Sequence, residues 1–150
     1  MVKDPLDTPA ELKARALRYL VRREHSRAEL ARKLAPHAES PEAVEAVLDL
    51  LNSRKQQSDE RFAAERARVL SRKYGSAKIR QDLKARGVAD EIVGRISSEG
   101  EVERARSILQ KKYRQPAANR EESARRARFL QSRGFSYDAI RGALRVDDEA

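Results

Sequence analysis

Apolar residues recur every three or four positions through most of the chain, which is the spacing of one face of an α-helix. The pattern is clearest in residues 41–55, where Val44, Val47, Leu48 and Leu51 fall on one face. No segment of the sequence shows the sustained alternation of apolar and polar residues that is typical of strands. The pattern therefore predicts an all-α protein.

Helix starts and ends are marked by residues that favour caps. Thr8-Pro9-Ala10-Glu11 and Ser26-Arg27-Ala28-Glu29 are both capping boxes, and Ser40 precedes Pro41 at a third start. Four glycines stand where helices should end: Gly75, Gly87, Gly100 and Gly134. Together the signals predict nine helices, at 9–24, 26–35, 41–55, 59–74, 76–86, 89–98, 101–114, 120–133 and 136–145.

The chain repeats one pattern three times, in residues 16–30, 66–79 and 126–140. In each copy an arginine is followed by a bulky apolar residue and then by leucine, at Leu20, Leu70 and Leu130. Six residues after each leucine stands a serine, at Ser26, Ser76 and Ser136. The pattern predicts a helix, a tight turn, a serine cap and a second short helix in each copy.

These copies predict tandem three-helix units that resemble helix–turn–helix motifs. A further echo, between residues 106–113 and 68–74, leaves two ways of grouping nine helices into three units. We expect an elongated, curved array, because units of this size need their neighbours to complete a core. The expected division is an N-terminal tail at 1–8, repeats at 9–55, 58–98 and 101–146, and an acidic tail at 147–150.

The composition of the chain indicates a polyanionic partner. The chain has 150 residues, a formal net charge of +9, and 38% charged but only 5% aromatic residues. The positive charge is concentrated: residues 61–86 contain nine Lys and Arg against two acids, and residues 104–133 contain ten against two. Clusters of this kind favour nucleic acid or an acidic protein groove as the partner.

Twelve residues in the two basic segments are the candidate contacts to a filament or to DNA. Arg61, Arg68 and Arg72 have the spacing of one helical face, as do Arg125 and Arg128. Taken singly, each arginine is better explained as part of a solvated face, whereas the two clusters together favour binding. The candidates are Arg61, Arg68, Arg72, Lys73, Lys78, Arg80, Lys111, Lys112, Arg125, Arg126, Arg128 and Arg133.

The sequence lacks the residues and motifs of a catalytic, metal or cofactor site. It has no cysteine, and its two histidines, His25 and His37, have no acidic partners at ligand spacing. It contains neither a phosphate-binding glycine loop nor a nucleophile elbow. Tyr74, Tyr113 and Tyr137 lie beside basic residues, where they either stack on bases or cover a core edge. We therefore expect a protein that is not an enzyme and needs no cofactor and no metal.

The N-terminal segment has no apolar run, and no stretch has the roughly 18 apolar residues that span a bilayer. We therefore expect a cytoplasmic protein that does not bind a membrane. We also expect it to act as a monomer.

Three motifs resemble one known family. Residues 59–88 resemble the central unit of the RecX family of bacterial recombination regulators, and residues 16–34 resemble its opening unit. Residues 126–144 carry the family's R-G-F-S turn, at Arg133-Gly134-Phe135-Ser136. One departure is visible, since the family often has two acids before its Phe-Ala pair and here Ser58 stands beside Asp59.

The resemblance implies an array of three-helix units that binds the RecA filament on single-stranded DNA. Members of the family typically inhibit the ATPase, strand-exchange and coprotease activities of RecA, with weaker direct contact to nucleic acid. Two other functions remain open from the residues: a helix–turn–helix transcription regulator that reads duplex DNA, and a structural helical adaptor. An adaptor would leave the basic clusters unexplained.

Overall fold

The computed structural model describes residues 5–149, and their side chains as far as residue 145. Within this range nine α-helices follow one another, with one turn of 3₁₀-helix at Ala35–His37 and no strand. The helices are α1 (Pro9–Arg22), α2 (Arg27–Leu34), α3 (Pro41–Ser53), α4 (Asp59–Leu70), α5 (Ser76–Ala85), α6 (Asp90–Val93), α7 (Glu101–Lys112), α8 (Arg120–Ser132) and α9 (Tyr137–Glu149). The predicted all-helical class is confirmed.

The predicted capping boxes form at α1 and α2. The Thr8 hydroxyl oxygen accepts a hydrogen bond from the Glu11 amide at 3.2 Å, and the Glu11 carboxylate accepts one from the Thr8 amide at 3.1 Å. Ser26 and Glu29 make the same reciprocal pair at 3.0 and 3.1 Å. Each box satisfies two amides that a helix start would otherwise leave without a partner.

The fold divides into two compact units. Unit 1 comprises Met1–Glu65 and Lys84–Val93, and unit 2 comprises Arg66–Leu83 and Gly94–Ala150. The three boundaries between the units fall inside α4, inside α5 and directly after α6. The two units therefore do not coincide with the three sequence repeats.

Unit 1 is built on the first three helices. Its core is formed by one face from each, and burial of each large side chain contributes about 1.5–3 kcal/mol. The buried core residues are Leu12, Ala16, Leu30, Leu34, Val44, Val47, Leu48 and Leu51. The segment from Lys84 to Val93 is attached to α2, because the Ser26 hydroxyl donates to the Arg86 carbonyl at 2.7 Å. Gly87, at φ +84°, lies so close to Ala28 that a Cβ would be 2.4 Å from the Ala28 methyl group.

Unit 2 is built on α7, α8 and α9. Its core residues come from all three helices and from the turn before α9, and are Ala105, Leu109, Leu130, Phe135, Ala139, Ile140 and Ala143. Ile79 and Leu83 of α5 are also buried, at 2% and 0% exposure. The core is assembled from single residues at helical spacing, as the sequence pattern predicts.

Four predictions about the helices are wrong. The fourth helix was expected at 59–74 but ends at Leu70. The sixth helix was expected at 89–98 but is the single turn α6, because Gly94 follows it and Ser97, Ser98 and Gly100 favour turns over helix. The last helix was expected to end at 145 but continues to Glu149, across most of the predicted acidic tail. Residues 1–4 and 150 of the predicted tails lie outside the described range.

The fourth wrong prediction concerns the serine cap of the second copy. Ser26 and Ser136 accept an amide three residues on, as N-caps do. Ser76 is instead the first residue of α5, and its own amide donates to the buried carboxylate of Glu101 at 2.6 Å. The shorter turn of this copy places Gly75 before the helix, where the other two copies have serine.

A candidate phosphate-binding surface in unit 2

Five arginines of unit 1 form ion pairs with carboxylates. The ion pairs are Arg15 with Asp7, Arg23 and Arg86 with Glu29, Arg27 with Glu45 and Asp49, and Arg61 with Glu24. Burial alone would raise the pKa of Glu29, but hydrogen bonds from Arg23, the Ser26 amide and Arg86 outweigh it and lower the pKa to about 2. These arginines are thus engaged within the fold.

Several cations of unit 2 lie over aromatic rings instead. The Lys78 ammonium is 5.2 Å from the centroid of Tyr74, and the Arg133 guanidinium is 5.4 Å from the same ring. Arg133 is also 5.1 Å from the ring of Phe129, and Lys112 is 3.9 Å from that ring. Such contacts hold a charged side chain in place without cancelling its charge.

Together these residues form a continuous row in which cations and rings alternate. Lys112 also lies 5.6 Å from the centroid of Tyr113, whose ring meets Phe129 edge to face at 6.3 Å. We call this set the cation–ring row; its members are Lys78, Tyr74, Arg133, Phe129, Lys112 and Tyr113. Its three rings are half-buried.

The row depends on a close contact between two copies of the repeated turn. The Gly75 amide donates to the Arg133 carbonyl at 2.8 Å, and the Ala77 amide donates to the Gly134 carbonyl at 3.2 Å. We call this contact between residues 74–78 and 132–136 the turn clasp. It brings Tyr74 and Lys78 beside Arg133.

A buried carboxylate completes the turn clasp. Glu101 is 5% exposed, and its two oxygens accept from the Ser76 amide at 2.6 Å and from the Ser136 hydroxyl at 3.4 Å. Glu101 is therefore occupied by the two turns and does not neutralise the cation–ring row.

The structure places most of the twelve predicted contact residues in unit 2, in different environments. Six are exposed at or near helix ends or on helix faces: Arg68, Arg72, Lys73, Lys111, Arg125 and Arg128. Three belong to the cation–ring row: Lys78, Lys112 and Arg133. Among the described side chains, which extend to residue 145, Lys112 and Arg133 form no ion pair with a carboxylate, and the Lys78 ammonium donates only to the Ser132 carbonyl, at 3.2 Å.

Arg126 does not fit its predicted role in direct contact with a partner. It is 2% exposed, and its guanidinium donates to the Gln115 carbonyl and the Glu122 carboxylate at 2.8 Å each. The same guanidinium lies 4.4 Å from the ring of Tyr113. Arg126 faces the core because it lies one helical turn before the buried Leu130, and it holds the loop between α7 and α8.

Two other predicted contacts are also used within the fold. Arg61 lies in unit 1, where its guanidinium donates to Glu24 at 3.0 Å. Arg80 donates to the Ile96 carbonyl at 2.9 Å and to Ser98 at 3.3 Å, which fixes the segment before α7. In addition, α4 ends at Leu70, so the predicted stripe along one helix does not extend to Arg72.

Phe129 is the member of the cation–ring row that sequence reasoning missed. The signal was present in the repeat, because Tyr19, Val69 and Phe129 occupy the same position before the aligned leucines. Tyr19 makes a similar contact, because the Lys33 ammonium lies 4.8 Å from the centroid of its ring. Of the tyrosines considered for stacking, Tyr74 and Tyr113 belong to the row and Tyr137 lies apart from it, beneath Arg141.

Two other kinds of site are absent from the described part of the chain. Among the side chains described, those up to residue 145, no group of three or more histidine, aspartate or glutamate residues is arranged to hold a metal ion. No helix in the described range has the length and apolar character needed to cross a membrane.

Comparison with solved structures supports the fold. The crystal structure of RecX from Lactobacillus salivarius superposes with a TM-score of 0.82 at 20% sequence identity, covering 95% of this chain and 97% of that one. A second crystal structure, of a regulatory protein RecX, gives a TM-score of 0.71 at 23% identity and covers 95% and 80% of the two chains.

Comparison of sequences identifies the family. Residues 13–51, 58–95 and 99–144 match the first, second and third three-helix domains of RecX. The regulatory protein RecX of Leptothrix cholodnii is 48% identical over 140 residues, covering 91% of this chain and 89% of the relative. That of Ralstonia nicotianae is 44% identical over 135 residues, covering 88% and 85%. With three domain matches in order and relatives this similar along nearly its whole length, the chain belongs to the RecX family of regulatory proteins.

Proposed function

We propose that this protein binds the RecA filament on single-stranded DNA and modulates its ATPase, strand-exchange and coprotease activities, typically by inhibition. The basic surface of unit 2 carries the proposal, because it groups the three cations of the cation–ring row with the exposed Arg72, Lys73, Lys111, Arg125 and Arg128. Membership of a family of regulatory proteins supports the same function.

The proposed action is binding alone, without catalysis. A protein that binds the active filament more tightly than its alternatives shifts the population toward a blocked form. The protein acts as a cytoplasmic monomer in this proposal, and through RecA it affects homologous recombination, DNA repair and the SOS response. Several three-helix repeats, here expected at 9–55, 58–98 and 101–146, provide a surface with many points of contact.

Nothing in the geometry favours the alternative of a transcription regulator that reads duplex DNA. A recognition helix needs free polar side chains that reach base edges. On α5, Arg80 is engaged by Ile96 and Ser98, and Lys78 lies over Tyr74. On α9, Arg141 lies 4.0 Å from Asp138 and over the ring of Tyr137.

The proposal is tested by the DNA-dependent ATPase activity of RecA, titrated with substoichiometric amounts of this protein. We expect strong inhibition that persists when single-stranded DNA is added in moderate excess, since in this proposal the protein binds the filament more tightly than it binds free DNA. Inhibition that excess DNA relieves, or no effect on the ATPase rate, would reject a filament-directed function.

Charge-reversal variants locate the contact within the same experiment. The triple variant R72E/K73E/R125E changes three exposed cations of unit 2 and should abolish inhibition while the helical circular dichroism stays intact. The matched control R18E/R22E/R32E changes three exposed arginines of unit 1 and should keep most of the inhibition. Equal loss in both variants would contradict the assignment of the contact to unit 2.

A further inference from the structure

The cation–ring row has the properties of a prepared anion site. Among the side chains that the structure describes, up to residue 145, no carboxylate forms an ion pair with any of its three cations. Arg133 has five N–H donors and makes no hydrogen bond through them to any described residue. A cluster of cations with unused donors is stabilised by an anion that supplies both charge and acceptor oxygens.

Ring contacts also restrict the cations before any ligand arrives. Lysine and arginine side chains lose considerable rotational freedom when they are fixed in a complex. Here the 3.9 Å contact of Lys112 with Phe129, and the two ring contacts of Arg133, restrict that freedom in the free protein. Neighbouring cations without a ring, such as Lys111 and Arg128, lose this freedom only on binding.

From these properties we infer that the cation–ring row binds the phosphate backbone of single-stranded DNA, one strand running along Lys78, Arg133 and Lys112. A linear polyanion matches a row of cations, because its charges follow one another along a line as the cations do. Acidic side chains on a protein surface are interspersed with basic ones and match such a row less well.

The rings between the cations favour a single strand over a duplex. In a duplex the bases are stacked within the helix, so only phosphates reach a surface row. In a single strand the bases are free to contact half-buried rings such as Tyr74 and Phe129. The inference names the partner of the surface on which the proposed function rests, but its test uses DNA without RecA, so the two can fail separately.

The first test compares cations that have a ring with neighbours that lack one, by fluorescence anisotropy of a labelled oligothymidylate. K112Q and R133Q should each weaken binding about fivefold, whereas K111Q and R128Q should weaken it less than about twofold. All four residues lie on or directly after α7 or α8, and each substitution removes one charge. Equal losses of affinity in K112Q and K111Q, and in R133Q and R128Q, would overturn the row. A diffuse positive field predicts such equal losses, because it weakens by the same amount whichever charge is removed.

The second test separates placement of the cations from their charge. Y74L and F129L remove the rings but keep every cation, so affinity should fall while the dependence of log K on log salt keeps its slope. K112Q and R133Q should instead reduce that slope by about 0.7 each, the value for one lost phosphate contact on a single strand. Wild-type affinity in folded Y74L would overturn the role of the rings, and the pair K111Q and K112Q tests the row even if F129L fails to fold.

The third test asks which ligand the row takes. A duplex of the same length should bind more weakly than the single strand at equal salt, and equal affinity would overturn the single-strand assignment. Variants K112Q and R133Q that bind the oligonucleotide like the wild type, but fail to inhibit RecA, would overturn the inference in favour of an acidic protein surface.

Discussion

At the scale of single residues, His25 is held in one protonation state by its neighbours. It is 2% exposed; its Nδ1 faces the Arg23 carbonyl at 3.0 Å, and its Nε2 faces the Lys33 ammonium at 2.8 Å. Nδ1 therefore donates to the carbonyl and Nε2 accepts from Lys33, which describes a neutral ring. Burial lowers the pKa of His25 below 6.5, and the charges of Arg23 and Lys33 add to this, although the carbonyl hydrogen bond raises it.

This arrangement predicts that unit 1 loses stability in mild acid. Because the pKa of the folded ring is lower than that of the unfolded chain, the unfolded state takes up a proton that the folded state does not. The free energy of unfolding should have its full value above pH 6.5, which is the pKa of the histidine in the unfolded chain. It should decrease as the pH falls from there toward the pKa of the folded protein. Urea unfolding of the protein at a series of pH values measures this slope.

Matched histidine variants attribute the slope to one residue. H25N cannot titrate, so it should lose the slope below pH 6.5, at the cost of about 1–3 kcal/mol of stability at neutral pH. H37N changes the other, half-exposed histidine and should keep the slope. Carboxylates with lowered pKa values, Glu29 at about 2 among them, titrate well below pH 6.5. A slope that survives in H25N would contradict the assignment.

Single residues also show where sequence reasoning stops. The concentration of charge in residues 61–86 and 104–133 was visible in the sequence, but the environment of each cation was not. Arg126 and Arg128 read alike as basic residues of one helix, yet the first is buried against Tyr113 and the second is exposed. What separates them is tertiary: Arg126 lies one turn before Leu130 and faces the core of unit 2.

At the scale of elements, the turn clasp sets a steric requirement at Gly75. A Cβ on this residue would lie 2.4 Å from the Gly134 carbonyl oxygen, which is backbone and cannot swing aside as a side chain does. G75A should therefore destabilise the protein by about 1–3 kcal/mol, the usual cost of overpacking. It should also weaken DNA binding, since the clasp places Tyr74 and Lys78 in the cation–ring row.

The control for this prediction is Gly100, which, unlike Gly75, has no steric neighbour. Gly100 has φ +75° and no atom within 4 Å of the position that a Cβ would take, so G100A adds backbone strain of about 1 kcal/mol but no collision. Thermal unfolding of both variants, with anisotropy for DNA binding, measures the difference. If G75A is no less stable than G100A and binds DNA normally, the clasp does not position the row.

The helices were the feature of the fold that the sequence predicted best. Helices with a cap at the start and a regular apolar face, such as α1, α3 and α8, begin at the predicted first residue. They end within two residues of the predicted last residue. The prediction of α6 was wrong because Gly94 and the serines after it outweigh the apolar spacing of Ile92, Val93 and Ile96. Local signals determined the helices, whereas the contact between the turns at Gly75 and Gly134 joins residues about sixty positions apart.

At the scale of the whole molecule, sequence repeats and compact units divide the chain differently. The second three-helix domain matches residues 58–95, but residues 66–83 belong to unit 2 and residues 84–93 to unit 1. Within unit 1, residues 84–93 are held by α2, through Arg86 to Glu29 at 2.8 Å and through Gly87 against Ala28. Periodicity in a sequence marks where a pattern recurs, and it does not show against which neighbour each copy is packed.

This division predicts that residues 84–93 need the first three helices in order to be stably folded. A fragment of residues 58–150 retains the whole second repeat but lacks Ser26, Ala28 and Glu29. Hydrogen exchange measured by mass spectrometry should therefore show peptides from 84–93 exchanging faster in the fragment than in the full chain. Peptides from α7 and α8 should keep their protection, since their core partners Leu109 and Leu130 lie within the fragment. Unchanged protection of 84–93 would mean that the second repeat completes its own fold, and that its contacts with α2 contribute little to its stability.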